Sequence, residues 1–589
     1  MTHDAAVLTE ERKTGLPGRE REPDPPTRTM SGAEALAFSL VRGGVRVVFG
    51  YPGGAIMPVY DALLDYEDEL RHVLVRHEQG AIHAAQGYAR VSGEPGVCLT
   101  TSGPGATNLI TGIADAKMDS TPVVCITGQV VSAMLGSDAF QETDVLSVSA
   151  PVTKWSCKIT RPEDIPAAVS KALHVARTGR PGPVLIDITK DAQFGTFEYE
   201  PVEHEHRIPG YEPRPRLDED AVASACRLID EARKPLVLVG QGVLLSGAQD
   251  ELRHLVERAG LPFACTLLGL GALPTRHPLY VGLLGMHGNY GPNIKTDECD
   301  LLLAVGMRFD DRVTGSLAKY ARQARVVHVD IDASEIGKNV PAEVGIVADA
   351  REALAALAEG VASASHDAWL AEFRACDEIE RERVIEGDLF PGTPGIRMAE
   401  VIHRLSERTG GRATLVADVG QHQMAAARYY RFDEGNTLIT SGGAGTMGFA
   451  LPATMGAAVA RPDLPIVGVI GDGGFQMTLQ ELGAIVQEGI PVKAVILNNG
   501  YLGMVRQWQE MFFARRYSAI ELKNPNFAQV AAAFGMDGRQ VAERGELDDA
   551  IDEMMASEAA FLLEVVVERE ENVFPMVPAG AGCSEIRLE

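Results

Sequence analysis

At 589 residues the chain is too long for one hydrophobic core, and three or four domains are expected. A 46% hydrophobic and 23% charged composition is that of a globular protein. The formal net charge of −27 argues against nucleic acid as a partner, because a phosphate backbone needs a basic face, and against anionic membranes.

In chain order, residues 1–29 are rich in Arg, Glu and Pro, lack an apolar signal core, and read as a disordered tail. Short apolar runs then alternate with helical stretches: His72–Val75, Val97–Thr101, Val123–Thr127, Val184–Ile188, Leu236–Val239, Leu301–Val305, Val326–Val329, Ile466–Ile470 and Val492–Leu497. This alternation predicts an α/β fold of doubly wound parallel sheets. Phe197 to Leu217 reads as a linker, and a charged helix from Cys376 to Glu386, followed by Phe390-Pro-Gly-Thr-Pro-Gly395, marks a second seam. Three domains are expected, at 30–195, 215–375 and 395–575, with a tail at 576–589. The outer two look duplicated: Thr101-Ser-Gly-Pro-Gly-Ala-Thr107 and Thr440-Ser-Gly-Gly-Ala-Gly-Thr446 each precede a small-residue helix and a strand. The eight cysteines are scattered and read as reduced thiols, and no apolar run reaches membrane-spanning length, so a cytoplasmic location is expected.

The richest stretch runs from Leu464-Pro-Ile-Val-Gly-Val-Ile-Gly-Asp-Gly-Gly474 through an amphipathic helix to Val492-Lys-Ala-Val-Ile-Leu-Asn-Asn-Gly500. This is one βαβ unit, whose parallel strands end on the same sheet edge, so Asp472 and Asn499 face one crevice. A carboxylate and an amide oxygen are hard donors that suit octahedral Mg²⁺ completed by diphosphate oxygens. Gly471, Gly473 and Gly474 let backbone N–H groups approach phosphate. Alone, a Gly-Asp-Gly after a strand is more often an ordinary turn. Upstream, Val73-Leu-Val-Arg-His-Glu-Gln-Gly80 is a strand running into a helix, with Glu78 at the helix start. Taken alone, such a Glu is equally well a helix N-terminal acid.

With Asn499 placed 27 positions after Asp472, the stretch closely resembles the thiamine-diphosphate enzyme signature. Nearly the whole chain after the tail resembles the acetolactate synthase large-subunit family. The motifs include Tyr51-Pro-Gly-Gly-Ala55, Arg76-His-Glu-Gln-Gly80, Asp138-Ala-Phe-Gln-Glu142, Gly179-Arg-Pro-Gly-Pro-Val184, Gly306-Met-Arg-Phe-Asp-Asp-Arg-Val-Thr-Gly315, Val419-Gly-Gln-His-Gln-Met424 and Gly503-Met-Val-Arg-Gln-Trp508.

The resemblance implies that pyruvate is decarboxylated and its two-carbon unit transferred to a second pyruvate or to 2-oxobutyrate, in branched-chain amino-acid synthesis. It makes Glu78 the carboxyl that hydrogen-bonds the pyrimidine N1′ of thiamine diphosphate and promotes the tautomer that ionises the thiazolium. It places Gln141 near the thiamine ring, Phe140 and Lys190 along the substrate channel, and Trp508 in the pocket of the second 2-oxo acid. Gly420, Gln421, His422, Gly445, Met504 and Val505 fall on the cofactor, and the Tyr501 carbonyl joins Asp472 and Asn499 on the metal. Met447 matches the residue over which the cofactor bends, though a lone methionine is more often core. In the middle domain, Arg180, Gly240, Gln241, Gly242, Thr266, Leu267, His287, Gly288, Arg308, Asp310, Arg312, Asp330, Ile331 and Asp349 match positions around FAD. The reaction has no net redox change, so the flavin would be structural or vestigial. The resemblance also implies a homodimer or homotetramer and a regulatory small subunit. Departures are Ala425 where Trp is frequent, Ile82 for Gly and Ser137 for Thr; they bear on acceptor preference and cofactor affinity. The alternatives are a sister enzyme such as a sulfoacetaldehyde acetyltransferase and a flavin oxidoreductase of the pyruvate oxidase type.

Overall fold

A computed structural model describes residues 28–200, 202, 208–433 and 437–589. The expectation of a disordered tail falls, through residue 27, outside the described residues. Arg28–Ser31 are not tail but a strand, β1, paired antiparallel with β8 (Thr196–Tyr199). The linker expected from Phe197 therefore begins later, because Met30 and Tyr199 bury their side chains together.

Three parallel six-stranded sheets make up the rest. The first holds β2 (Val47–Tyr51), β3 (Arg71–Leu74), β4 (Gly96–Thr100), β5 (Val123–Gln129), β6 (Trp155–Ile159) and β7 (Val184–Thr189), in the order β3-β2-β4-β5-β7-β6. The second holds β9 (Pro235–Val239), β10 (Phe263–Cys265), β11 (Tyr280–Leu283), β12 (Leu301–Val305), β13 (Arg325–Asp330) and β14 (Val344–Val347), in the order β11-β10-β9-β12-β13-β14. The third holds β15 (Thr414–Ala417), β16 (Leu438–Thr440), β17 (Ile466–Gly471), β18 (Lys493–Asn498), β19 (Asp537–Val541) and β20 (Phe561–Val566), in the order β16-β15-β17-β18-β20-β19. Central strands such as β5, β7, β9, β12 and β17 are buried throughout, which is why they read as Val/Ile/Leu-rich runs without polar alternation.

Counted from its own first strand, each outer sheet has the order 2-1-3-4-6-5, so the duplication is real. Its register is not the one expected from sequence. Thr101–Thr107 follows the third strand of its sheet and Thr440–Thr446 the second. The counterpart of helix Ala450–Ala460 is helix Glu78–Ser92, each lying between the second and third strands. Glycine-rich turns recur after several strands of both sheets, as at Gly103–Gly105, Gly442–Gly445 and Gly471–Gly474, so local similarity slides by one unit. These two helices pack against each other and join the outer domains. A Cβ on Gly87 would lie 2.0 Å from the Ala453 carbonyl oxygen, and one on Gly456 would lie 1.8 Å from that of Ala84. Only glycine permits that backbone approach.

The central sheet has the order 3-2-1-4-5-6 of a dinucleotide-binding fold, with its switch point between β9 and β12. The charged helix at the second seam starts earlier than expected, at Asp367, because Trp369 and Phe373 anchor it in the central core. The segment 576–589 is not a free tail. Val577 donates its N–H to the Met286 carbonyl, Ala581 accepts from Ser316, and Cys583 is buried in the central core.

Candidate active site

The metal motif is built as its βαβ spacing implies. Asp472 directly follows β17 and opens helix Asp472–Thr478, while Asn499 directly follows β18, the neighbouring strand. Both side chains are buried. Asp472 Oδ2 accepts from the Gly500 N–H at 2.9 Å and from Asn524 Nδ2 at 2.6 Å, and Oδ1 accepts from the Gly473 N–H. Asn499 Oδ1 accepts from the Tyr501 N–H at 3.0 Å. Tyr501 itself is fixed by an antiparallel bridge to Glu521. Two hard oxygens on one sheet edge, with a second lone pair free to bind, fit a Mg²⁺ that takes its remaining ligands from diphosphate and water.

Gln421 and His422 lie behind them, at the start of helix Gln421–Tyr429. His422 Nε2 and Gln421 Oε1 are buried without a hydrogen-bond partner. Burial pulls the His422 pKa down to about 4, so the ring is neutral at pH 7. The imidazole fills the space between Gly420 and Gly471; a Cβ on either would come within 2.6–2.7 Å of its Cε1. A neutral imidazole whose unpaired Nε2 can carry a proton, beside glycine backbone, suits a diphosphate, whereas Gln421 Oε1 can only accept because its Nε2 already donates to Gln507 and the Glu571 carbonyl.

A cavity of about 1400 Å³ opens above this edge and runs without interruption to the central sheet. Gly420, Gly445, Met447, Met504, Val505 and Trp508 line its outer half. Met447 reaches over Gly473, its Cε 3.4 Å from the position of a Cβ there. Trp508 is half-buried and packs at a tilt on Phe512. It is thus a cavity wall and not a core aromatic.

The other half is lined by Arg180, Gln241, Gly242, Thr266, Leu267, His287, Gly288, Arg308, Asp310, Arg312, Asp330, Ile331 and Asp349. Gly240 lies just beneath, so close to the Gly306 carbonyl that a Cβ would meet it at 2.2 Å. The cavity thus sits at the switch point of the central sheet, where such folds bind dinucleotides. Its polar groups are partly engaged. Arg180 bridges to Asp332 at 3.1 Å and Glu335 at 2.8 Å. Asp310 and Asp349 cap the helices that follow them by accepting from the Arg312 and Arg351 N–H groups. Burial raises the Asp330 pKa to about 6. His287 Nδ1 is buried with no partner and fits a ligand that brings its own donors or acceptors.

Glu78, Phe140, Gln141 and Lys190 do not join this cavity. All four lie on the first domain. Glu78 Oε2 accepts from Asn108 Nδ2 at 2.9 Å, and its helix is capped by His77, whose Nδ1 accepts from the Gln79 N–H. Gln141 and Asp138 adopt positive φ in a turn held by Glu142, which accepts from the Gly136 and Ala139 N–H groups. Gln141 packs on Gly103, next to the Pro104–Thr107 turn that walls Glu78. Phe140 is 86% exposed, a large apolar side chain pointing away from its own chain.

Asn524, Asn498, Glu380 and Arg428 belong to the surroundings of these sites and carry no local motif. Two acids on helix Ile110–Met118 and its end also grip the cavity's glycine loop. Asp119 accepts from the Gly442 and Gly443 N–H groups, and Asp115 from Ser441 and Thr446. Such contacts join residues more than 300 positions apart and leave no sequence pattern.

A central sheet with the strand order of dinucleotide-binding folds, between two like sheets of which one brings Asp472 and Asn499 to a glycine-lined edge, is the architecture of a cofactor-dependent α/β enzyme. Residues 30–148, 222–357 and 418–565 match the N-terminal TPP binding, central and C-terminal TPP binding domains of the thiamine pyrophosphate enzymes. The chain is 47% identical to an acetolactate synthase large subunit of Parasynechococcus marenigrum, over 94% of this chain and 90% of that protein. It is 45% identical to the large subunit of Escherichia coli acetolactate synthase isozyme 2, over 95% and 99%. To the chloroplastic acetolactate synthase 2 of Nicotiana tabacum it is 44% identical, over 96% and 86%. The chain belongs to the thiamine pyrophosphate enzymes and, within them, to the acetolactate synthase large-subunit family. Among the described residues no helix is long and apolar enough to cross a membrane.

Proposed function

We propose that the protein is an acetolactate synthase that decarboxylates pyruvate and transfers the two-carbon unit to a second pyruvate or to 2-oxobutyrate. The observation that carries this reading is the juxtaposition of Asp472 and Asn499 at one sheet edge with Met447 and Trp508 in the cavity above it. Asp472, Asn499 and the Tyr501 carbonyl hold Mg²⁺, and the glycine edge with His422 holds the diphosphate. Bound thiamine diphosphate supplies the nucleophile and electron sink of the reaction. Glu78, Phe140, Gln141 and Lys190, set on the first domain and outside the lining of their own cavity, serve the cavity of a second copy. A homodimer is therefore the smallest active unit. The central half of the cavity takes FAD in a structural role. A regulatory small subunit, a cytoplasmic location and a place in branched-chain amino-acid synthesis fit the same reading.

Product analysis with pyruvate alone, and with pyruvate plus 2-oxobutyrate, tests it: 2-acetolactate and 2-aceto-2-hydroxybutyrate are expected. Bleaching of bound flavin by pyruvate in a single turnover would replace it with the oxidoreductase reading. Trp508 is expected to select the acceptor. The two acceptors differ by one methylene, worth about 1–3 kcal/mol in an apolar pocket. Trp508→Leu should leave an active enzyme whose preference for 2-oxobutyrate falls toward parity in a competition assay; an unchanged product ratio refutes the role. Arg180→Ala should weaken FAD binding in a fluorescence titration, because it removes a guanidinium suited to the diphosphate and releases Asp332 and Glu335. An unchanged affinity counts against placing the flavin there.

A further inference from the structure

We propose that Asn524 is a positioning residue for the metal site, fixing which oxygen of Asp472 is presented to the cation; this rests on the reading of Asp472 as a Mg²⁺ ligand. Asn524 lies in the segment between Glu521 and helix Phe527–Ala533, 52 positions after Asp472, and crosses the carboxyl edge of the third sheet. Its Nδ2 donates to Asp472 Oδ2 at 2.6 Å and to Asn498 Oδ1 at 2.8 Å. Its Oδ1 accepts from Gln476 Nε2 at 2.9 Å, which settles the orientation of the amide. Gln476, one turn beyond Asp472, also donates to the Asp472 carbonyl at 3.2 Å.

The brace extends further. Asn498 Nδ2 donates to Glu564 Oε1 at 2.7 Å, and Glu564 Oε2 accepts from the Phe527 N–H at 2.8 Å. Fully buried Glu564 thereby ties the end of β18 to the helix that follows Asn524. The result is a closed circuit of side chains around one carboxylate oxygen. Oδ2 is engaged by two donors, the Gly500 and Asn524 N–H groups, whereas Oδ1 meets just the N–H of its neighbour Gly473. Oδ1 is the oxygen left for the cation. A carboxylate held through its other oxygen loses less rotational freedom when the metal binds, and partners of this kind typically carry about 10–100-fold in metal affinity.

The test uses the full-length enzyme and equilibrium dialysis of thiamine diphosphate over a series of Mg²⁺ concentrations, with turnover measured in parallel. Asn524→Ala should raise the Mg²⁺ concentration for half-maximal cofactor retention about 10–100-fold. Turnover at saturating Mg²⁺ and cofactor should be largely restored. Gln476→Leu, which removes the group that orients the amide, should shift the midpoint in the same direction by less, and it decides the question if Asn524→Ala does not fold. Asp472→Ala serves as the reference and should lose Mg²⁺-dependent retention altogether. A normal midpoint in Asn524→Ala beside a lost one in Asp472→Ala overturns the positioning role alone. A loss in Asn524→Ala that no amount of Mg²⁺ restores also overturns it, because the residue is then merely structural. Retained Mg²⁺ dependence in Asp472→Ala overturns the metal assignment on which it rests.

Discussion

Glu78→Gln is expected to leave the chain folded and to lower turnover about 10²–10⁴-fold, the contribution of a positioned acid–base group. The side chain opens helix Glu78–Ser92, with Asn108 donating to Oε2 and the Pro104–Thr107 turn walling it, so an amide of the same shape can be held in place. What the amide cannot do is share a proton with a pyrimidine nitrogen. The loss should therefore appear in kcat at saturating thiamine diphosphate, with a smaller weakening of cofactor binding. On the proposal that Glu78 serves the neighbouring copy, mixing Glu78→Gln chains with chains inactivated at Asp472 offers a further check. A mixed dimer carries one site with both residues intact, so subunit exchange should return part of the activity. Near-normal turnover of Glu78→Gln, or two inactive variants that never complement after proven exchange, would remove Glu78 from this role.

What could be read from the sequence divides along physical lines. Strands such as Leu301–Val305 and Ile466–Gly471 are covered on both faces, so their apolar runs are visible without any partner. Asp472 and Asn499 were legible because a βαβ unit carries its own geometry: parallel neighbours end on one edge. The duplication was legible too, but its register was not, since every glycine turn at a strand end resembles the next. Residues 576–589 looked like a tail because glycine and proline hide the pairing of Met576 with Arg587 and the burial of Cys583 against the central domain. Asn524 and the acids Asp115 and Asp119 act across 52 to more than 300 positions, on side chains whose local surroundings are those of any polar residue. Tertiary packing assigns their roles, and no periodicity or spacing can announce it.

Breaking the ion pair between Arg428 and Glu380 should cost the fold more than any other single polar change. The two side chains are 1% and 2% exposed, with Nη2 and Oε1 2.5 Å apart. Helix Gln421–Tyr429 begins at the diphosphate edge and delivers Arg428 near its far end. Helix Asp367–Glu380, which leads out of the central domain, ends on Glu380. Glu380 also accepts from Asn289 Nδ2 at 3.0 Å and the Tyr290 N–H at 2.6 Å, and Arg428 donates to the Gly288 carbonyl at 3.0 Å. The pair therefore pins the His287–Gly288 loop of the cavity to the third domain. Arg428→Met leaves Glu380 buried with two neutral donors and no counter-charge, a change that typically costs about 3–5 kcal/mol. Glu380→Met leaves the guanidinium in the same position with the opposite sign. The double replacement removes both charges, and exchanging a buried pair for apolar groups of similar volume is often neutral or better. The expected pattern is a marked fall in the denaturant midpoint for each single variant and recovery of most of it in the double. FAD affinity should fall in Arg428→Met and stay low in the double, because the bond to the Gly288 carbonyl is gone from both. Additive losses in the double variant would show that packing around the two side chains, and not their charges, holds these domains together.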